Sequence, residues 1–257
     1  MRNVNFSFTT KITFDDYVHD HSFALRIIPP ETENQHIVSY DVKISPFVST
    51  QQTTDAFGNN VTAGYLRNEH RFLDFEIRGR AEVNSEIKRT DYMPCYLYKS
   101  ELTAPDEELA AFYAENRDRC SSTDPDTRAE FFSGLLSETM TYQKGVTDTD
   151  TTAAAAFKRR SGVCQDFSHV LISLLRMDGI AARYIAGLAF CDGETHAWVE
   201  YWNGSCWNGI DPANNCRTDD GYLVVSQGRD FRDCAVDRGV MFGGYSRQLH
   251  LVRTELK

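Results

Sequence analysis

The stretch that decides the fold is RSGVCQDFSHVLISLLRMDG, residues 160–179. Its apolar residues recur at helical spacing: Phe167, Val170, Leu171, Leu174 and Leu175. Gly179 stands where a glycine commonly ends a helix. At about 100° per residue, Cys164 falls on the face that carries Phe167 and Leu171, so its thiol is expected to point toward whatever the helix packs on.

The position of Cys164 in the first turn of this predicted helix favours a chemical role for its thiol. Unpaired N–H groups and the positive end of the helix dipole stabilise negative charge there, and so favour the thiolate over the thiol. A thiolate is the form of cysteine that attacks carbonyl carbons. Burial as a small apolar side chain is the competing interpretation.

The segments before this helix divide into a strand-rich and a helix-rich part. Up to about residue 90, β-branched and aromatic runs are separated by Pro, Asn and Gly: KITF (11–14), FALRIIPP (23–30), HIVSYDVKISP (36–46) and HRFLDFEIRGRAEV (70–83). Three further helices are predicted, in 103–119, from Asp124 and Pro125 onward, and in 147–162.

After the opening helix the apolar residues alternate again. ARYIAGLAF (182–190), HAWVEYW (196–202) and CWNGID (206–211) are predicted strands. Helices followed by a sheet indicate an α+β fold. We therefore predict two domains, an antiparallel β-rich domain at 1–95 and an α+β core at 96–257.

The Asn203-Gly204 pair predicts a hairpin between the last two of these strands. If both residues form a type I′ turn, His196 and Asp211 stand opposite each other, with Cβ atoms about 5 Å apart on one face of the sheet. A carboxylate in that place orients an imidazole and stabilises its protonated form. Cys164, His196 and Asp211 are thus predicted as a catalytic triad.

Composition excludes several other classes of protein. The 257 residues carry a net charge of −10, and no basic stretch with interleaved aromatics appears, so no nucleic-acid partner is expected. Neither a leader-like apolar segment nor an 18-residue apolar run is present, so no membrane partner is expected. Seven widely spaced cysteines, an odd number, favour free thiols in the cytoplasm.

Three motifs resemble those of the bacterial transglutaminase-like superfamily, whose members are often named cysteine proteases: GVCQDFSHVLISLLRMDGIAARYIAGL (162–188), THAWVEYW (195–202) and GIDPAN (209–214). The resemblance runs from about residue 125 to about residue 245, and the strand-rich start is similar to the region that often precedes this core. It implies a papain-like fold with Cys164 as nucleophile, His196 as base and then acid, and Asp211 as its orienting partner.

The resemblance implies acyl transfer from a peptide or protein amide through a thioester, with no cofactor and no metal. No tryptophan precedes Cys164, where cross-linking relatives place one, so hydrolysis is favoured over cross-linking. Gln165 departs from relatives that often carry a charged residue there. Two alternatives stay open: a non-catalytic binding module that retains the core, and a metal site built from Cys191, His196, Cys206 and Cys216, which lack the paired spacing of structural zinc ligands.

Overall fold

The computed structural model describes residues 1–189 and 195–256. The chain begins with five strands: β1 (Arg2–Leu25), β2 (Gln35–Ser45), β3 (Thr50–Thr54), β4 (Asn60–Leu66) and β5 (His70–Val83). The predicted β-rich start is confirmed, with one difference. The runs at 11–14 and 23–30 share a single long strand, because β1 continues through an irregularity in its pairing with β5 between Thr13 and Val18.

Helices and two short strands follow a 3-10 turn at Pro94–Leu97: α1 (Glu107–Asn116), a second 3-10 turn (Arg117–Arg119), α2 (Pro125–Thr139), β6 (Thr141–Tyr142), α3 (Ala153–Arg159), β7 (Ser161–Gly162) and α4 (Cys164–Met177). All four predicted helices are confirmed. Asp106, Asp124 and Thr152 cap the first three, each side chain accepting a hydrogen bond from a backbone N–H of the first turn. Arg160, at φ 58°, ends α3 in place of Gly162, which begins the approach to Cys164.

The remainder of the chain is mostly strand: β8 (Ala182–Ala189), β9 (His196–Trp202), β10 (Trp207–Asp211), β11 (Cys216–Arg217), β12 (Tyr222–Gly228), the short helix α5 (Phe231–Cys234), β13 (Asp237–Gly243) and β14 (Ser246–Leu256). The three strands predicted after α4 are confirmed as β8, β9 and β10. Phe190, at the end of the first of those runs, lies outside the described residues.

The strands form two large antiparallel sheets. One has the order β11-β10-β9-β8-β12, and the other β2-β5-β1-β4-β3, with β13 and β14 pairing with β1 as well. The sheet that contains β1 therefore takes strands from both sides of residue 95. The division into domains at 1–95 and 96–257 stays a prediction.

The sheets and helices stack in layers, which confirms the α+β class. One core lies between the helices and β8–β9, where Phe167, Leu171 and Leu174 pack against Tyr184 and Val199. A second core lies between the two sheets, where Leu188, Leu223 and Val225 meet the apolar face of β1. No helix among the described residues is both long and apolar enough to cross a bilayer.

Candidate active site

Backbone geometry at the start of α4 fixes Cys164. Val163, the residue before the helix, is extended, and its N–H donates to Oδ2 of Asp166 at 2.7 Å. A side chain on Gly162 would overlap Asp166, so only glycine lets the chain pass this carboxylate. Cys164, partly buried, packs against the core between the helices and the sheet, as its helical face predicts.

The imidazole of His196 is hydrogen-bonded to Asp211. The distance from His196 Nε2 to Asp211 Oδ2 is 2.6 Å, and the two side chains are 10% and 0% exposed. A carboxylate on one ring nitrogen fixes the orientation of the ring and leaves the other nitrogen for a second partner. Cys164 is the candidate for that partner, since it lines the same cleft as His196 and its interaction raises the pKa of the ring.

Asp211 is held by more donors than the sequence predicts. Its Oδ1 accepts from the N–H groups of Ala213 (3.0 Å) and Asn214 (3.2 Å), and its Oδ2 from Asn214 Nδ2 (2.7 Å) and the Tyr222 hydroxyl (3.0 Å). Sequence reasoning missed Asn214 and Tyr222. The spacing Asp-Pro-Ala-Asn is typical of an aspartate that accepts from its own turn and could have indicated Asn214, whereas nothing near Asp211 in sequence indicates Tyr222.

These contacts favour the charged form of both His196 and Asp211. Burial by itself would lower the pKa of His196, but the hydrogen bond that its ring donates to Asp211 and the interaction with Cys164 raise it to about 10. Burial would raise the pKa of Asp211, but His196, Asn214 and Tyr222 together lower it. An imidazolium beside an ionised carboxylate is therefore the favoured state at neutral pH.

The predicted register of the hairpin was wrong, although the predicted contact forms. Trp202 pairs with Trp207 and Val199 with Ile210, so His196 does not stand opposite Asp211. The reason lies in the turn, where Asn203 uses its side chain as acceptor for the N–H of Cys206 at 3.0 Å and only Gly204 has a positive φ, so no type I′ turn forms. The shift of two residues keeps both side chains on one face, and the contact is diagonal.

Cys164 and His196 line a cleft of about 630 Å³. Its walls come from the start of α4, from β8 and β9, from α5 and from the start of β13. The residues nearest the thiol in sequence, Val163 and Gln165, also line it, as do Tyr142, Tyr184 and Phe231. Gln165 donates to the carbonyl of Thr149 at 3.2 Å, so its amide belongs to the rim of the cleft.

Other histidine and tryptophan residues near the motifs are structural. His169, interpreted from sequence as structural or surface, is fully buried, and its Nε2 accepts from the N–H of Phe231 at 3.1 Å. Trp198 packs with Ile185 and Val224, and Trp202 and Trp207 pack in a cluster around Tyr96. The favoured interpretation of these tryptophans as sheet packing agrees with this arrangement.

The predicted alternative of a metal site has little support among the residues that can be described. They contain no cluster of three or more His, Cys, Asp or Glu side chains suited to a metal ion. Cys206 lies against Asn203 and Cys216 against Tyr222, in separate places. Cys191 lies outside the described residues.

Two segments of the chain match models of known protein families. Residues 115–212 match the transglutaminase-like superfamily, and residues 4–82 match the bacterial transglutaminase-like N-terminal region. The chain contains a transglutaminase-like core and a bacterial transglutaminase-like N-terminal region. The first match contains Cys164, His196 and Asp211, and the resemblance seen in the motifs is confirmed.

Two mycobacterial proteins are similar in sequence to this transglutaminase-like protein. An uncharacterized protein of Mycobacterium leprae is 25% identical over 248 residues, which are 88% of each chain. An uncharacterized protein of Mycobacterium tuberculosis (strain H37Rv) is 35% identical over 118 residues, but these are only 40% of this chain and 38% of the relative.

A solved structure shows the same fold over the whole chain. The crystal structure of a "Putative Cysteine Protease from Cytophaga hutchinsonii" has a TM-score of 0.80 at 19% identity, covering 100% of this chain and 91% of that one. The predicted transglutaminase-like core of papain-like type, preceded by a β-rich region, is thereby confirmed. The family is one of thiol-dependent hydrolases and transferases.

Proposed function

We propose that this protein is a cysteine peptidase or amidase that cleaves an amide bond of a polypeptide through a thioester on Cys164. The observation that carries the proposal is the His196 ring, held by Asp211 on one side and facing with Cys164 into one open cleft, where the two groups interact. Nucleophile, base and orienting group in contact are what covalent acyl transfer requires.

In the first half of the reaction, the Cys164 thiolate attacks the amide carbonyl carbon. A C–S bond forms and the carbonyl electron pair moves to oxygen. When the pair returns, the C–N bond breaks, and the imidazolium of His196 gives its proton to the departing amine. The raised pKa of His196, about 10, supports a proton on the ring before attack.

In the second half, neutral His196 takes a proton from water as the water oxygen attacks the thioester carbon. The C–S bond then breaks, and a carboxylic acid leaves with the thiolate and imidazolium restored. Asp211 stays ionised throughout and stabilises the imidazolium, consistent with its lowered pKa. If an amine replaces water, the product is a new amide.

The oxyanion is assigned to the backbone N–H of Cys164. The first N–H groups of a helix have no partner within the helix, and Cys164 and Gln165, the first two residues of α4, both line the cleft. Tyr142 also lines the cleft, and its hydroxyl is the proposed second donor to the oxyanion.

Hydrolysis is proposed over cross-linking on the position of the tryptophans. All three follow Cys164 in sequence and pack in or beside the sheet, and no indole belongs to the described lining of the cleft. A reducing compartment, the cytoplasm, is proposed because the six cysteines in the described part of the chain are free thiols. Activity is accordingly expected to need a reductant.

The test combines thiol labelling with turnover. Iodoacetamide at limiting concentration should alkylate Cys164 ahead of Cys216, although Cys216 is the more exposed thiol, and His196→Ala should remove this advantage. Wild type should release peptides from reduced fluorescein-labelled casein, Cys164→Ala should not, and Cys216→Ala should match wild type. A fluorescent alkylamine added to the same reaction reports cross-linking by its incorporation.

Two outcomes would reject the proposal. Full turnover after Cys164 is shown by mass spectrometry to be alkylated would exclude it as the nucleophile. An unreactive Cys164 together with intact casein would favour the non-catalytic binding module instead.

A further inference from the structure

A second cavity lies on the N-terminal sheet, and no described residue of the β11-β10-β9-β8-β12 sheet lines it. This groove of about 700 Å³ is lined by residues of β1 and β13, which are paired neighbours in the sheet. Its apolar lining is Ile12, Phe14, Phe23, Ala24, Val240 and Met241. An open apolar groove of this size is more than a lone exposed side chain and is typical of a recognition surface.

The groove adjoins the cleft that contains Cys164. Asp237 and Arg238 line both cavities, and they are the first two residues of β13, paired with Leu25 and Ala24 of β1. A chain that occupies the cleft can therefore continue over these two residues into the groove. Arg238 is exposed at the junction and presents guanidinium donors to carbonyls of such a chain.

His21 lines the groove and pairs with His70 beside it. His21 Nδ1 is 3.1 Å from His70 Nε2, and His70 Nδ1 is 2.9 Å from the carbonyl oxygen of Asn68. The two imidazoles stack at 5.4 Å, with Phe14 edge-on to both. Burial lowers the pKa of His21 to about 4, so its imidazole adds no positive charge at neutral pH. The charged side chains of the lining are Asp237 and Arg238.

The backbone of β13 passes close to the His21 ring. A side chain on Gly239 would overlap the His21 ring, so glycine lets β13 close over the imidazole while Met241 faces the groove. The result is a shaped, mainly apolar surface beside the thiol.

We propose that the groove lined by β1 and β13 is a substrate subsite. It holds an apolar segment of the polypeptide whose amide is presented to Cys164. The proposal rests on the proposed function. A polypeptide is the chosen occupant because it supplies both an amide for the cleft and bulky apolar side chains for the groove. The N-terminal region would then select substrates and not only support the core.

The test places a charge in the groove and a matched charge outside it. Met241→Glu puts a carboxylate among the apolar lining, whereas Phe242→Glu changes the next residue of the same strand, which is 67% exposed and stacks on His19. In the Cys164→Ala background, binding of reduced fluorescein-labelled casein is measured by anisotropy. Met241→Glu should weaken binding about tenfold and Phe242→Glu should not, because only the first desolvates a charge.

Labelling of Cys164 by iodoacetamide separates the two proposals. In the active background it should be equal in wild type, Met241→Glu and Phe242→Glu, since the small reagent does not use the groove. Equal casein affinity in both Glu variants, or no casein binding by Cys164→Ala, overturns the subsite whether or not Cys164 is catalytic. Met241→Gln, a polar change of similar length at the same position, replaces Met241→Glu if thermal unfolding shows that variant to be unfolded, with a loss in the same direction.

Discussion

His196 Nε2 lies 2.6 Å from Asp211 Oδ2 although the two residues are not opposite each other in the β9–β10 hairpin. The four-residue loop from Asn203 to Cys206 moves the register by two residues, and the contact crosses the hairpin diagonally. A diagonal contact depends on side-chain reach and therefore on what holds Asp211. Asn214, Ala213 and Tyr222 provide that support.

Replacing Asp211 by asparagine should lower kcat/KM by about 10² to 10⁴, because the amide cannot stabilise the imidazolium. The pKa of His196 should fall from about 10 toward its ordinary value, since its main raising interaction is lost. NMR titration of the ring in the substrate-free protein, with Cys164 retained because it also raises this pKa, measures the fall without turnover. Asp41→Asn, at an exposed site on β2, is the control, and an unchanged His196 pKa in Asp211→Asn would contradict the electrostatic role.

The protonation of His196 should also appear as pH-dependent stability. Its folded pKa, about 10, is above the unfolded value near 6.5, so the stabilisation is complete below pH 6.5 and is lost as pH rises toward 10. The difference in the free energy of unfolding between wild type and His196→Ala should therefore shrink over this range. Urea denaturation at a series of pH values measures it, and a difference that grows with pH would show the sign to be wrong.

Tyr222→Phe should reduce kcat by roughly tenfold with little change in KM, since it removes one hydrogen bond of about 1.5 kcal/mol to the ionised carboxylate of Asp211. The ring would remain packed on Trp198, so the loss should not extend to folding. Tyr98→Phe, an exposed tyrosine, is the matched control. If the hydroxyl positions Asp211, the acidic limb of the profile of kcat against pH should move in Tyr222→Phe. An unchanged profile would assign Tyr222 to packing alone.

Gly162→Ala and Gly134→Ala should have opposite effects on stability. At Gly162 the added carbon overlaps Asp166, which holds the backbone before Cys164, so a loss of about 1–3 kcal/mol is expected, with slower alkylation of Cys164. At Gly134, inside α2 with nothing within 4 Å of the added carbon, a gain of about 0.5–1 kcal/mol is expected from helix propensity. Thermal unfolding compares the two, and equal changes would mean that the space around Gly162 is not limiting.

Much of this molecule follows from local sequence alone. The spacing of Phe167, Leu171 and Leu174 determines α4 and the inward face of Cys164, because helical periodicity is a property of consecutive residues. Alternation determines β8 and β9 in the same way, and the side-chain caps of α1 to α3 are readable from single residues such as Asp124. These features place a thiol at a helix start and a histidine on a strand.

Only the tertiary structure decided how these parts meet. The hairpin register depends on how Asn203 bonds within the turn, Tyr222 reaches Asp211 because β12 pairs with β8, and β13 brings Asp237 to the cleft because it pairs with β1. Each of these is a contact between residues distant in sequence, chosen by the packing of whole sheets. Local patterns fix which side chains face inward, whereas long-range pairing fixes which inward side chains become neighbours.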